Sequence, residues 1–222
     1  MKVIIYVEGP SDKAAMETLL MSLIELKRKQ GITIEFFDAP SGDKKASVLT
    51  KVPIKAVNMI MNDPSATVIA LPDLYPRNKA FPHVTFNEMS AGIQERFHRA
   101  LQHRGGANDV RLQKRFHVFC FKHDLEALLL AAEDALKKRL CVNTLKRTWK
   151  LPVEEQDHDH PPKRVIENLF KQHNMRYADT ADAPAILADC EYHDLALRCP
   201  QCFKPFVDFL EGLQIKVRKI QI

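Results

Sequence analysis

The sequence predicts an α/β protein: a mainly parallel sheet of about four strands flanked by helices, with a C-terminal helical annex. Three observations carry this expectation. Short apolar runs alternate with long amphipathic segments across residues 1–141. Proline, glycine or a carboxylate interrupts the chain where those runs end. From Val142 onward the strand signals stop and only helical periodicity continues.

Val3–Val7 is a continuous apolar run, stopped by Glu8-Gly9-Pro10, and reads as a buried first strand. Ser11–Gln30 reads as a helix with Ser11 as N-cap, an apolar side of Leu19, Leu20, Leu23, Ile24 and Leu26, and Gly31 as terminator. Ile32–Phe37 alternates as a second strand. Lys44–Asn62 is helical, with Val48, Val52, Ala56, Val57 and Ile60 inward and Pro53 disturbing its middle. Thr67–Leu71 is a third apolar strand, followed by Pro72-Asp73. Thr85–His103 reads as an amphipathic helix, Arg115–Phe121 as a fourth strand and Asp124–Leu140 as a strong helix.

Residues 142–214 form the expected annex. A polar, proline-bounded stretch from Trp149 to Pro162 precedes helical segments at Pro162–His173, Ala183–Leu197 and Cys202–Leu213. Trp149 is read as sealing this annex. Residues 215–222 alternate apolar and basic side chains, as a short edge strand or a tail.

The 222 residues are 45% hydrophobic and 27% charged, an ordinary globular balance that supports a real core. The net charge of +5 permits nucleic acid as a partner without requiring it. The apolar run after Lys2 is too short for a secretory signal core or a membrane span, so no membrane partner is expected. Five cysteines, an odd count, fit reduced thiols in a cytoplasmic protein.

The chemistry-bearing residues cluster at strand ends. Glu8 follows the first strand and Asp73 the third, while Asp124 and Glu126 follow the fourth. In a doubly wound sheet such positions converge on one edge, where ligands bind. Oxygen ligands gathered there suit Mg²⁺ or Mn²⁺. Acidic residues in a first helical turn also complement the helix dipole, which alone would explain Asp12, and Asp124 or Glu126 as well.

The stretch VIIYVEGPSDK, followed by TVIALPD, resembles the Toprim domain of primases, type I and II topoisomerases and overcoming-lysogenization-defect nucleases. Its signature is a glutamate in an E-G turn after the first strand and an Asp-x-Asp after a later one. Glu8 matches the glutamate and Asp73 the first aspartate, whereas Tyr75 stands where the second would be. Nearly the whole chain resembles a Toprim-related family of small prokaryotic proteins of unknown function, often linked to ATPase and defence genes. The matching pieces are the V-E-G turn, His123–Leu129, Pro161–Val165, and Arg198-Cys199-Pro200 with Phe203 and Phe206. The resemblance implies a Toprim-like, Rossmann-like fold. It implies Glu8, Asp73 and Glu126 as catalytic residues and metal ligands, with Glu126 replacing the missing aspartate.

Basic side chains supply candidate phosphate contacts. Arg77 and Lys79 lie in the loop after Asp73. Lys163 and Arg164 open a helix, where positive charge opposes the dipole and calls for a substrate phosphate or a carboxylate such as Glu126. His123 is read either as a proton or phosphate donor at the site or as a supporting residue. Asp157-His158-Asp159-His160 is a metal tract or a polar loop. Cys190, His193, Cys199 and Cys202 have spacings compatible with structural Zn²⁺. Against that stand a helix-turn-helix pattern and the helical spacing of Phe203, Phe206, Phe209 and Leu210, which calls for a core.

Two functions follow. One is a Mg²⁺- or Mn²⁺-dependent nuclease or related phosphodiester-processing hydrolase, in antiviral defence. The other is a non-catalytic Toprim-like module that binds a partner ATPase or nucleic acid. A nucleotide-binding reading is weaker, because no Gly-rich phosphate loop is present.

Overall fold

A computed structural model of the chain describes residues 1–106, 108–145, 149–155 and 159–214. Asp157 and His158 of the acidic-histidine tract and the whole of 215–222 lie outside the described residues, and with them the expectations placed on those two segments.

The described residues form an α/β fold around a four-stranded, fully parallel sheet in the order β2-β1-β3-β4. The strands are β1 (Lys2–Val7), β2 (Thr33–Asp38), β3 (Ala66–Ala70) and β4 (Phe116–Val118). Between β1 and β2 run α1 (Pro10–Leu19) and α2 (Met21–Lys29). Between β2 and β3 run α3 (Lys44–Thr50) and α4 (Val52–Asn62), and between β3 and β4 run α5 (Phe86–His103) and the short α6 (Val110–Gln113). Then come α7 (Glu126–Ala131), α8 (Glu133–Arg139), a 3₁₀ turn at Val153–Glu155, α9 (Pro162–Gln172), α10 (Asp179–Leu187), α11 (Tyr192–Arg198) and α12 (Phe203–Glu211).

Both faces of the sheet are covered, which is why the strands read as unbroken apolar runs. Val3, Ile5 and Val7 pack with α1, α2 and the C-terminal helices. Ile4 and Tyr6 pack on the other face with Val48, Val52, Ala56, Val57 and Ile60 of α3 and α4 and with Met89, Ile93, Phe97 and Leu101 of α5. The annex shares the first core: Val165, Ile166, Leu169, Phe170, Ile186, Phe203 and Phe206 are buried in it, and Trp149 packs against it. Helix α10 lies against α1.

Several long helices expected from the sequence are divided. Ser11–Gln30 becomes α1 and α2, joined at Leu20. Thr18 Oγ1 donates to the Ala14 carbonyl (2.8 Å) just before the break, a bond that bends helices. The N-cap is Gly9 rather than Ser11. Lys44–Asn62 divides at Lys51, ahead of Pro53, which has no N–H to continue the ladder. Asp124–Leu140 divides at Ala132, where Arg198 Nη1 donates to the Ala131 carbonyl (2.6 Å) and draws that group out of the ladder. Ala183–Leu197 resolves into α10 and α11, with α10 starting earlier, at Asp179. The fourth strand is shorter than Arg115–Phe121, although an isolated Asp73–Phe121 bridge continues its pairing with the chain after β3.

Glu154 fastens α12. Its Oε1 accepts from the N–H groups of Cys202 (2.8 Å) and Phe203 (3.3 Å), and its Oε2 from that of Gln201 (2.7 Å), all donors that would otherwise be orphaned. Glu154→Ala is expected to lower unfolding free energy by about 1–3 kcal/mol, the scale for leaving buried donors unsatisfied. Urea denaturation measures it.

Candidate active site

In the order β2-β1-β3-β4 the chain reverses its direction of travel across the sheet between β1 and β3. In open parallel sheets, ligands bind beyond the carboxyl ends of the strands at that point. Glu8 and Asp73 sit there. Tyr6 pairs with Ala70 at the end of the β1–β3 ladder, and the Asp73 N–H donates to Glu8 Oε1 (3.0 Å). The two carboxylates predicted as a pair are therefore neighbours.

Asp12, in the first turn of α1, is a third member, although its position in the sequence marks it only as a dipole partner. Its Oδ2 does accept from the Gly9 N–H (3.0 Å), closing a cap at the start of α1. It also feels the charges of both Glu8 and Glu126, and so links the two halves of the acidic cluster. The other half is Asp124 and Glu126. Asp124 Oδ2 accepts from the Lys163 N–H (3.3 Å), while its Oδ1 is buried with no hydrogen-bond partner among the described residues.

Burial raises the proton affinity of all these carboxyls, and repulsion within the cluster adds to it at Asp12, Asp73 and Asp124. Burial is the main cause at Asp73, held well above the usual carboxylate range, with Glu8, Asp12 and Asp124 adding to it. Burial pushes Asp12 up to about 7, and the charges of Glu8 and Glu126 contribute. Asp124 is pushed up to about 8 by burial and then by Glu126. Glu8 and Glu126 are raised by burial against the opposing charges of Lys45 and Lys163 respectively.

The cations answer this unevenly. Lys45 is buried at the start of α3, its Nζ donating to the Pro76 carbonyl. Burial lowers its pKa, while Glu8 and Asp73 pull the other way. Lys44 arches over Gly9, where any Cβ would come within 3.1 Å of its Nζ. Lys163 takes the carboxylate partners foreseen as one alternative: its Nζ lies 3.2 Å from Asp179 and 3.7 Å from Glu126. Tyr177 also donates to Glu126 Oε1 (3.0 Å), a contact no sequence pattern signalled.

Two clefts flank the centre and meet at Pro76. One, of about 490 Å³, is lined by Glu8, Lys44, Lys45, Arg77 and Asn78 among others. The second, of about 470 Å³, is lined by Tyr75, His123, Asp124, Lys163, Arg164 and Glu167 among others. Of the candidate phosphate contacts, Arg77 lines the first cleft and Lys163, Arg164 and His123 the second. Lys79 is exposed on the same loop as Arg77 but lines neither cleft. The Tyr75 ring lines the second cleft while its hydroxyl donates to the Val84 carbonyl (2.8 Å), so it does not stand in for a carboxylate.

Among the described residues no three His, Cys, Asp or Glu side chains are gathered as a metal-holding group, so the structure does not bring Glu8 and Asp73 together with Glu126. Its side chain is drawn instead toward Lys163 and Tyr177 on annex elements. The all-oxygen donors still suit Mg²⁺, which takes one or two carboxylates and keeps several waters. The Cys/His quartet is dispersed. His193 Nε2 meets Glu211 Oε1 (2.6 Å), Cys190 Sγ meets the Ile186 carbonyl (3.3 Å), Cys199 is buried in the first core, and Cys202 faces Cys120.

Residues 7–211 match a family described as Domain of unknown function (DUF4276). The chain belongs to that family. The match runs from the last residue of β1 to the last of α12, and so contains Glu8, Asp12, Asp73, Asp124 and Glu126. Comparisons with curated proteins and with solved structures returned no match. No helix among the described residues is long and apolar enough to cross a membrane.

The raised carboxyls make a pH prediction. Asp12 and Asp124 ionise near 7 and 8 when folded, against roughly 3.9 for an unperturbed aspartate. Their contribution to stability is fully present below about pH 4 and is lost as pH rises through those folded values. Without divalent cations, the urea midpoint is expected to fall between about pH 5 and pH 8. Asp12→Asn and Asp124→Asn are each expected to flatten that fall, since the amide oxygen still accepts the backbone N–H.

Proposed function

We propose that this chain is a Toprim-like, Mg²⁺- or Mn²⁺-dependent phosphodiester-processing enzyme, a nuclease acting on DNA or RNA. The observation that carries the reading is the juxtaposition of Glu8 and Asp73 at the β1/β3 switch point, beside clefts edged with basic side chains. The desolvated, mutually repelling carboxylates support it, because a divalent cation would relieve their repulsion.

Glu8 and Asp73 would hold the ion, which when bound would polarise a phosphodiester and stabilise charge on the leaving oxygen. Lys44 and Arg77 on one side and Lys163 and Arg164 on the other would seat the phosphates flanking the reacting one. Asp124 lines the second cleft and keeps its proton near neutral pH, so it is placed to give a proton to a leaving oxygen. Tyr177 and Lys163 hold Glu126 in place, making it a support for this edge.

A second reading has its own observation. The Lys45 ammonium already acts on Glu8 and Asp73, and Tyr75 supplies no carboxylate. Lys45 would then be the permanent counter-ion of a non-catalytic module that binds a partner ATPase or nucleic acid.

Two measurements separate the readings. With plasmid, single-stranded DNA and RNA as substrates, the enzyme reading expects Mg²⁺- or Mn²⁺-dependent cleavage. Glu8→Gln and Asp73→Asn should each reduce it by about 100-fold or more, the scale of losing one group that stabilises transition-state charge. Cleavage that survives both substitutions rejects this site. By calorimetry, the enzyme reading expects the wild-type chain to bind Mn²⁺. The module reading expects binding only after Lys45→Met, with no cleavage under any metal.

A further inference from the structure

Cys120 and Cys202 are distant in sequence and adjacent in space. Cys120 lies just beyond β4, and Cys202 stands at the start of α12. Both are free thiols, 2% and 9% exposed, and their sulfurs are 3.3 Å apart. A disulfide bond is about 2.05 Å long, so closure asks the two sulfurs to approach by little more than ~1 Å. A cleft of about 120 Å³, lined by Phe86, Val118, Cys120, Gln201, Cys202 and Pro205 among others, reaches both. The other cysteines are placed differently: Cys141 is exposed, Cys190 bonds a carbonyl, and Cys199 is buried in the first core.

We propose that Cys120 and Cys202 form a reversible redox-modification site, oxidised by a peroxide to a disulfide that ties the end of β4 to the start of α12. Cys202, the more exposed, attacks one peroxide oxygen as its thiolate. The O–O bond breaks, hydroxide leaves and takes up a proton to become water, and Cys202 becomes a sulfenic acid. The Cys120 sulfur then attacks the Cys202 sulfur. The S–O bond breaks, a second water leaves, and the disulfide forms. Two thiols have lost two electrons and two protons, and the peroxide has been reduced to two waters.

The surroundings set the rate and the consequence. Cys120 is held protonated by its contact with Cys202, by burial, and by the nearby charges of Asp73 and Glu154. The thiolate is the reactive form, so the second step, attack by the Cys120 sulfur on the Cys202 sulfenic acid, is slow near neutrality and faster in alkali. Cys120 also immediately precedes Phe121, whose bridge to Asp73 carries any shift at Cys120 to the acidic edge. That last effect rests on the function proposed above; disulfide formation does not.

The test uses the full reduced chain, treated with hydrogen peroxide at about pH 8, at a dose that fully oxidises the urea-unfolded chain. The expected product is roughly 2 Da lighter. Its non-reduced peptide map contains a Cys120–Cys202 cross-link, and dithiothreitol restores the starting mass. Cys141→Ser should keep the cross-link, and Cys202→Ala should lose it. Three results would overturn the proposal: sulfinic acid at Cys202 without a cross-link, cross-links confined to Cys141 or Cys190, or a folded chain left unchanged. Where the cross-link forms but Mn²⁺ binding and cleavage are the same in both redox states, the modification site stands and its coupling to Asp73 fails.

Discussion

Like-charged carboxylates crowded into a partly desolvated edge are the constraint around which the molecule is arranged. Burial raises the proton affinity of each, and the charges of its neighbours raise that of Asp12, Asp73 and Asp124 further. A chain that only had to fold would gain by dispersing them. They are held together because the strand ends and first helical turns that carry them are fixed by packing elsewhere. The parallel β1–β3 ladder sets Glu8 beside Asp73, and the cap at Gly9 sets the direction of Asp12. Apolar cores on both faces of the sheet supply the stability that lets such an edge persist.

The compensation for that charge comes from opposite sides. Lys45 enters from the helix after β2 and acts on Glu8 and Asp73. Lys163 and Tyr177 come from the annex and hold Glu126. The annex is thus part of the site as well as part of the core. It packs α10 against α1, the helix that carries Asp12, and lines one of the two clefts with Lys163 and Arg164. Glu154 serves the same end at a distance, by fixing the start of α12 and with it Cys202 beside Cys120.

Much of the architecture was legible in the sequence, because each strand is an apolar run closed by a visible stop. Val3–Val7 before Glu8-Gly9-Pro10 and Thr67–Leu71 before Pro72-Asp73 announce both their extent and the residues beyond them. Helix continuity was less legible. The breaks at Leu20 and Ala132 carry no proline or glycine, and the latter depends on Arg198 arriving from a remote helix to take a carbonyl. The Cys190/His193/Cys199/Cys202 spacing misled for a related reason. His193 sits on α11 and the three cysteines on the turns that flank α11, which send the side chains to Ile186, Glu211, the core and Cys120.

The sequence by itself determined the α/β class, the helical character of the C-terminal third, and the placing of Glu8 and Asp73 at strand ends. All three follow from periodicity and punctuation among residues close along the chain. Only the tertiary structure decided that Asp12 belongs with them, that Glu126 is held by Lys163 and Tyr177, that Tyr75 turns toward Val84, and that Lys45 is buried where its charge acts on Glu8 and Asp73. Those encounters depend on strand order and on how the annex packs across the first core. A hydrophobic pattern records which face of an element is buried, but not which distant charged side chain it will meet.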